Sequence, residues 1–224
     1  MQGPSRPTQT TPIWIWWLIT VLVLAILFVA GYILATQLVA GIQASAAPEN
    51  SYTGVTVIDP PRPMPDFTLT NQNGEALQWS DLRGSYVLFA FGFTNCPDIC
   101  PLTLSEFRRV RDGLAEDAEQ VRFVLISVDG TRDTPQVLAD YFRVRNLEGF
   151  IGLTGDPEQV GTLGEDYGLH FSYGEKDAQG RYSVDHTAGS YLIDREGRWV
   201  ARFAYGTDMR LITEEIAARL VRDH

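Results

Sequence analysis

Tyr86 to Phe93 reads YVLFAFGF, a nearly continuous apolar run of the kind found in strands covered on both faces. Such a strand cannot lie at the surface of a protein, so it demands a neighbour along each edge and a layer against each face. Val121 to Val128 (VRFVLISV) is a second run of the same kind. Between the two, from Pro101 onward, Leu104, Phe107, Val110 and Leu114 recur at helical spacing with charged residues among them. After the second run, Thr134-Pro135 has the residues to cap and start a helix through Val137, Leu138, Tyr141 and Phe142. Strand, helix, strand, helix predicts a parallel sheet.

The flanking segments complete the pattern. Phe67 to Thr70 and Ala76 to Trp79 surround Asn73-Gly74, a pair suited to a tight hairpin turn. Phe150 to Leu153 is a short strand, and Asp156-Pro157-Glu158-Gln159 has a capping-box arrangement opening a helix toward Tyr167. Ser190 to Ile193 and Arg198 to Phe203, joined by Asp194-Arg195-Glu196-Gly197, predict a second hairpin. A last helix from about Asp208 places Met209, Ile212, Ile216 and Leu220 on one face. Setting aside the opening hairpin and one inserted unit, the order is β-α-β-α-β-β-α, that of the thioredoxin fold. The expected class is therefore α/β, a thioredoxin-like fold with an N-terminal β-hairpin extension.

Ahead of this domain, Ile13 to Ala35 runs for 23 residues without a charge, with Trp14, Trp16 and Trp17 at one end and Tyr32 near the other. A helix of that length spans a hydrocarbon layer of ~30 Å, and its aromatic ends suit the headgroup region. The segment reads as a single transmembrane helix; it exceeds the usual length of a signal-peptide core, and the small residues Ala44-Ser45-Ala46 lie well past its end. Arg6 precedes it and no Lys or Arg follows until Arg62, which sets the amino terminus inside. The expected organisation is a cytoplasmic tail over 1–12, an anchor over 13–35, a Pro-rich linker over 36–64 and a domain over 65–224. A bacterial inner-membrane protein whose domain faces the periplasm is the simplest location. Because Arg6 is the only formal side-chain charge before Glu49, the rest of the chain carries 17 basic and 28 acidic side chains. That balance, without a basic run, argues against nucleic acid as a partner.

The chain has 2 cysteines, Cys96 and Cys100, and both stand where the first apolar run meets the following helix. Sulfur placed there lies near free backbone N–H groups and the positive end of a helix dipole, which favours thiolate. Asp98 between them opposes this by like-charge repulsion. Three uses remain open. A plain disulfide closing so short a loop restricts the unfolded chain by only ~2 kcal/mol. A redox dithiol would cycle with a partner, although its three-residue spacer differs from the Cys-x-x-Cys of thioredoxins. A soft-metal clamp needs a further ligand, and His186 is the candidate: if Ser190 to Ile193 runs antiparallel to Tyr86 to Phe93, His186 arrives at the sheet edge where the cysteines stand. Two thiolates and an imidazole suit Cu(I), with Asp98 or Asp185 as possible hydrogen-bonding support. His170 and His224 have no comparable placement.

Three separated motifs carry a resemblance. Phe93-Thr94-Asn95-Cys96-Pro97-Asp98-Ile99-Cys100-Pro101, then Ser127-Val128-Asp129 with Arg132-Asp133-Thr134-Pro135, then Asp185-His186-Thr187 with Tyr191-Leu192-Ile193 are similar to those of SCO/SenC-type copper chaperones. The similarity runs from about Pro65 to Leu220. It implies a thioredoxin-like domain binding copper through Cys96, Cys100 and His186, with a copper donor protein upstream. The implied acceptor is the copper-bearing subunit of cytochrome c oxidase, whose dinuclear site the protein would help to assemble. Some family members act as thiol reductants of the recipient's cysteines. A metallochaperone is thus the leading expectation, and a periplasmic thiol-disulfide oxidoreductase the alternative.

Overall fold

Seven consecutive buried residues, Tyr86–Gly92, form the strand around which the sheet is laid. In the computed structural model, residues 54–223 are described together with 14, 16, 17, 22, 24, 25 and 27–33. Within 54–223 the strands are β1 (Val55–Pro63), β2 (Thr68–Asn71), β3 (Ala76–Gln78), β4 (Tyr86–Gly92), β5 (Val121–Ser127), β6 (Ile151–Thr154), β7 (Phe171–Tyr173), β8 (Val184–His186), β9 (Ser190–Ile193) and β10 (Arg198–Phe203). The helices of this stretch are α1 (Ile99–Leu114), α2 (Pro135–Val144), α3 (Pro157–Glu165) and α4 (Met209–Arg222).

Eight strands make one sheet in the order β1-β10-β9-β4-β5-β6-β2-β3, while β7 and β8 pair separately. β4, β5 and β6 are mutually parallel, and β9 runs antiparallel to β4, with Ala90 opposite Ser190. The expected thioredoxin-like order, the opening β2–β3 hairpin and the β9–β10 hairpin are all present.

Strand alternation sorts β4 between two cores. Val87, Phe89 and Phe91 point to one face, where Val160 and Leu163 of α3 and a group of aromatic rings cover them. Phe89 stacks on Tyr191 at 5.0 Å and meets Trp79 and Tyr167 edge-on. Leu88 and Ala90 point to the other face, against Leu104, Phe107 and Val110 of α1 and Ile212 and Ile216 of α4. Each aromatic pair adds about 0.5–1.5 kcal/mol beyond the burial of its area.

The structure departs from the sequence expectation at several places. The domain does not begin at residue 65: Val55–Pro63, expected as the end of a linker, is an edge strand paired with β10. Proline lacks an N–H donor and is tolerated at an edge, where one side of the strand needs no partner. The pairing also slips between Val57 and Arg62, around Pro60 and Pro61. α1 begins at Ile99, two residues before Pro101, because the first N–H groups of a helix have no partner inside it and a proline in the opening turn loses nothing. Asp156 caps α3 by accepting from Glu158 N–H, but the expected capping box is not closed, since the Gln159 side chain instead donates to the Thr68 carbonyl.

Residues 52–224 form one compact unit and 1–51 another. Of the expected anchor over 13–35, 13 residues are described and are helical, and the others lie outside the described residues. Among the described residues no helix is long and apolar enough to cross a membrane.

The pairing of β1 makes a stability prediction. A fragment starting at Pro65 should unfold at lower urea concentration than one starting at Tyr52, with a loss of at least roughly 2 kcal/mol from the missing backbone pairs. Coincident urea curves for the two fragments would refute a structural role for β1.

Candidate metal centre

β4 delivers the chain to the cysteines. Its last ladder bond is the Val128 N–H to the Gly92 carbonyl at 2.8 Å, after which Phe93–Cys96 folds into a turn closed by Cys96 N–H on the Phe93 carbonyl at 3.3 Å. Asp98 precedes α1 but makes no side-chain cap. Cys96 takes that place, its Sγ accepting from the Cys100 N–H at 3.4 Å. The expected meeting of sulfur with a helix N-terminus is therefore made by Cys96.

Cys100 lies inside the first turn of α1 and is only 2% exposed, whereas Cys96 is half-buried; both thiols are free. Burial pushes the Cys100 thiol well up, and the neighbouring Cys96 sulfur adds to the effect. Gly92 makes room for it, since a Cβ there would stand 3.1 Å from Cys100 Sγ and 2.9 Å from Leu125 Cδ1.

His186 closes the other side. The antiparallel β4–β9 register brings the start of β9 to the end of β4, and the Nε2 of His186, at the end of β8, stands 3.7 Å from Cys100 Sγ. Its Nδ1 is 3.1 Å from the Thr187 carbonyl oxygen, which can only accept. Nδ1 therefore carries the proton and Nε2 turns a lone pair to the sulfur. The Phe93 ring meets the imidazole edge-on at 5.8 Å. Burial lowers the pKa of His186 from its ordinary value, outweighing the Thr187 bond and the Asp185 charge, which act the other way. A neutral imidazole is the form that binds soft metals.

The hairpin that carries His186 was not apparent in the sequence. β7 and β8 pair Phe171 with His186, and Tyr173 and Tyr182 fasten them to the turn after β5. The Tyr173 hydroxyl donates to the Val128 carbonyl at 2.5 Å and the Tyr182 hydroxyl to Asp129 Oδ1 at 2.7 Å. Arg132 pairs with Asp129, donates to the Tyr182 carbonyl at 2.9 Å and lies 3.7 Å over the Tyr182 ring.

Of the residues expected here, Cys96, Cys100 and His186 share one sheet edge. Asp98 and Asp185 do not join them by hydrogen bonds: both are exposed, and Asp185 reaches His186 only through its charge. The buried carboxylates at this edge are instead Asp129 and Asp133. Their signal in the sequence was an Asp on each side of Arg132, directly after a buried strand that parallels β4. His170 is exposed, and His224 lies outside the described residues. Among the described residues no three His, Cys, Asp or Glu side chains stand close enough together to hold a metal ion, so the Cys100–His186 pair is in place without a closed cage.

A family model described as SCO1/SenC matches residues 56–221. This chain belongs to that family. The match begins within β1, in keeping with an edge strand that is part of the domain. A Stutzerimonas stutzeri relative that carries a provisional copper-binding name is 43% identical over 137 residues, covering 61% of this chain and 66% of that one. The structure of Bradyrhizobium japonicum ScoI with copper bound is 37% identical with a TM-score of 0.61, covering 71% of this chain and 98% of that one. Yeast Sco1 with copper bound is 29% identical with a TM-score of 0.65, covering 71% and 89%.

Two predictions follow from the asymmetry of the site. Iodoacetamide near neutral pH should label Cys96 well before Cys100, because the latter is buried and its thiol is held protonated. Peptide mass spectrometry over a time course would read this, and equal labelling rates would contradict the geometry. The depressed pKa of His186 means that the unfolded chain takes up its proton more readily than the folded one. Its share of stability is present above the ordinary value of 6.5 and is lost as pH falls below it toward the lowered folded value. Urea midpoints taken from about pH 7 to about pH 5 should fall less steeply for His186→Gln than for the unaltered chain.

Proposed function

We propose that this SCO1/SenC protein is a copper metallochaperone in which Cys96, Cys100 and His186 are the ligands. The observation that carries the reading is the 3.7 Å approach of His186 Nε2 to Cys100 Sγ, with the Nδ1 proton engaged elsewhere. Two sulfurs and a neutral imidazole match the preference of Cu(I) for soft donors in a low-coordinate site. The copper-bound relatives from Bradyrhizobium and yeast support the choice of metal. Cys96 is the more accessible sulfur, and it stands beside Cys100 at the rim of the Cys100–His186 pair. An open set of three lets the ligands of an acceptor replace these one at a time. Copper is cargo here, taken from a donor protein and passed to the copper-bearing subunit of cytochrome c oxidase. The apolar segment 13–35 tethers the domain to the bacterial inner membrane with residues 52–224 in the periplasm.

The second reading is thiol–disulfide exchange, and the contrast between the cysteines favours it. Accessible Cys96 would attack a partner disulfide to give a mixed disulfide and release one partner thiolate. Buried Cys100 would then displace the second partner sulfur, leaving the partner reduced by two electrons and Cys96–Cys100 oxidised. His186 separates the two readings. His186→Ala should weaken Cu(I) binding about a hundredfold or more in competition with a chromophoric chelator, while dithiol exchange persists. Unchanged Cu(I) affinity in that variant would refute the copper reading.

A further inference from the structure

Asp129 and Asp133 are both 0% exposed, directly beneath the cysteine turn. A buried carboxylate costs several kcal/mol unless donors answer it, so its partners are structurally committed. Asp133 Oδ2 accepts from the Thr94 N–H at 2.9 Å and from the Ser127 hydroxyl at 2.6 Å, and its Oδ1 accepts from the Thr94 hydroxyl at 2.5 Å. Ser127 ends β5, and its oxygen also accepts from the Asp129 N–H at 3.0 Å. Asp133 N–H in turn donates to the Asp129 carbonyl at 2.9 Å.

Thr94 is the second residue of the turn that ends in Cys96. That turn has left the sheet, because the ladder stops at Gly92, and its own closure is the single 3.3 Å bond from Cys96 to Phe93. Asp133 grips Thr94 by backbone and side chain together, which fixes the direction in which Cys96 projects. The same short segment holds the opposite side of the site, since Asp129 accepts from Tyr182 in the loop leading into β8 and His186. Cys turn and His hairpin are therefore referenced to one piece of backbone, Ser127 to Asp133. That piece is itself rigidly seated: a Cβ on Gly130 would fall 1.8 Å from the Gly155 carbonyl oxygen, so backbone packs on backbone there.

We propose that Asp133 is a positioning residue of the metal centre, holding Thr94 so that the Cys96 sulfur stands where it can join Cys100 and His186. The proposal rests on the copper reading above. Its requirement is geometric and not one of charge. An Asn at 133 can turn its oxygen to Thr94 N–H and Ser127 and its amide to the Thr94 hydroxyl, which then accepts, so the grip survives without the negative charge.

The test compares Asp133→Ala, Asp133→Asn and Thr94→Val in the full chain, well below their unfolding midpoints, by Cu(I) competition and by the iodoacetamide labelling rate of Cys96. Asp133→Ala should weaken Cu(I) binding about tenfold or more and change the Cys96 rate severalfold. Asp133→Asn should stay within about threefold of the unaltered chain. Thr94→Val, losing one hydroxyl bond, should fall about fivefold. A merely structural role would lower the unfolding midpoint and leave both readouts of the folded protein untouched, and that result overturns the proposal. So does an Asp133→Asn as weak as Asp133→Ala. If Asp133→Ala does not fold, Thr94→Val decides alone. Failure of the unaltered chain to take up Cu(I) would defeat the copper reading, and the labelling rates would still judge Asp133.

Discussion

The pairing of β4 with β5 on one edge and β9 on the other is the interaction on which the remainder depends. Seven residues without an exposed side chain have no stable place except between two strands and under two layers. Because β5 is parallel to β4 and β9 antiparallel, the ends of β4 and β5 and the start of β9 reach the same sheet edge. Three segments distant in sequence are thereby delivered to one spot: the cysteine turn, the Ser127 to Asp133 turn and the approach to His186. The two-sided core keeps the edge fixed, with aromatic rings on one face and α1 and α4 on the other.

At that edge the side chains are unequal in a way that suits transfer. Cys100 is enclosed and its thiol is held protonated, while Cys96 caps α1 through its sulfur and remains accessible. His186 is held neutral by burial and aimed by the Thr187 carbonyl. In the proposed copper role, such a preset pair with one further sulfur at the rim would hold cargo without locking it in as a closed four-ligand cage would.

How much of this was legible can be judged residue by residue. The strands β4, β5, β9 and β10, the opening hairpin and the four helices follow from apolar periodicity and from Asn73-Gly74, Thr134-Pro135 and Asp156-Pro157. β1 was hidden because Pro60, Pro61 and Pro63 argue against a strand wherever the edge is not known in advance. β7 and β8 are three residues each, too short for any period, and their pairing brings Phe171 to His186 across a long loop. Asp98 and Asp185 looked like supporting groups through sequence proximity alone. Asp129 and Asp133 carry the support because parallel strands put the end of β5 beside the end of β4.

The sequence alone determined the layered α/β class, the two cysteines at a strand-to-helix junction and the apolar segment ahead of the domain, since each is a local property of residue type and spacing. Only the tertiary structure decided that His186 meets Cys100, that Cys96 and not Asp98 caps α1, and that Asp133 holds the turn between them. Those contacts depend on strand register and on which side chains lose water together, and neither is a property of any single stretch of chain.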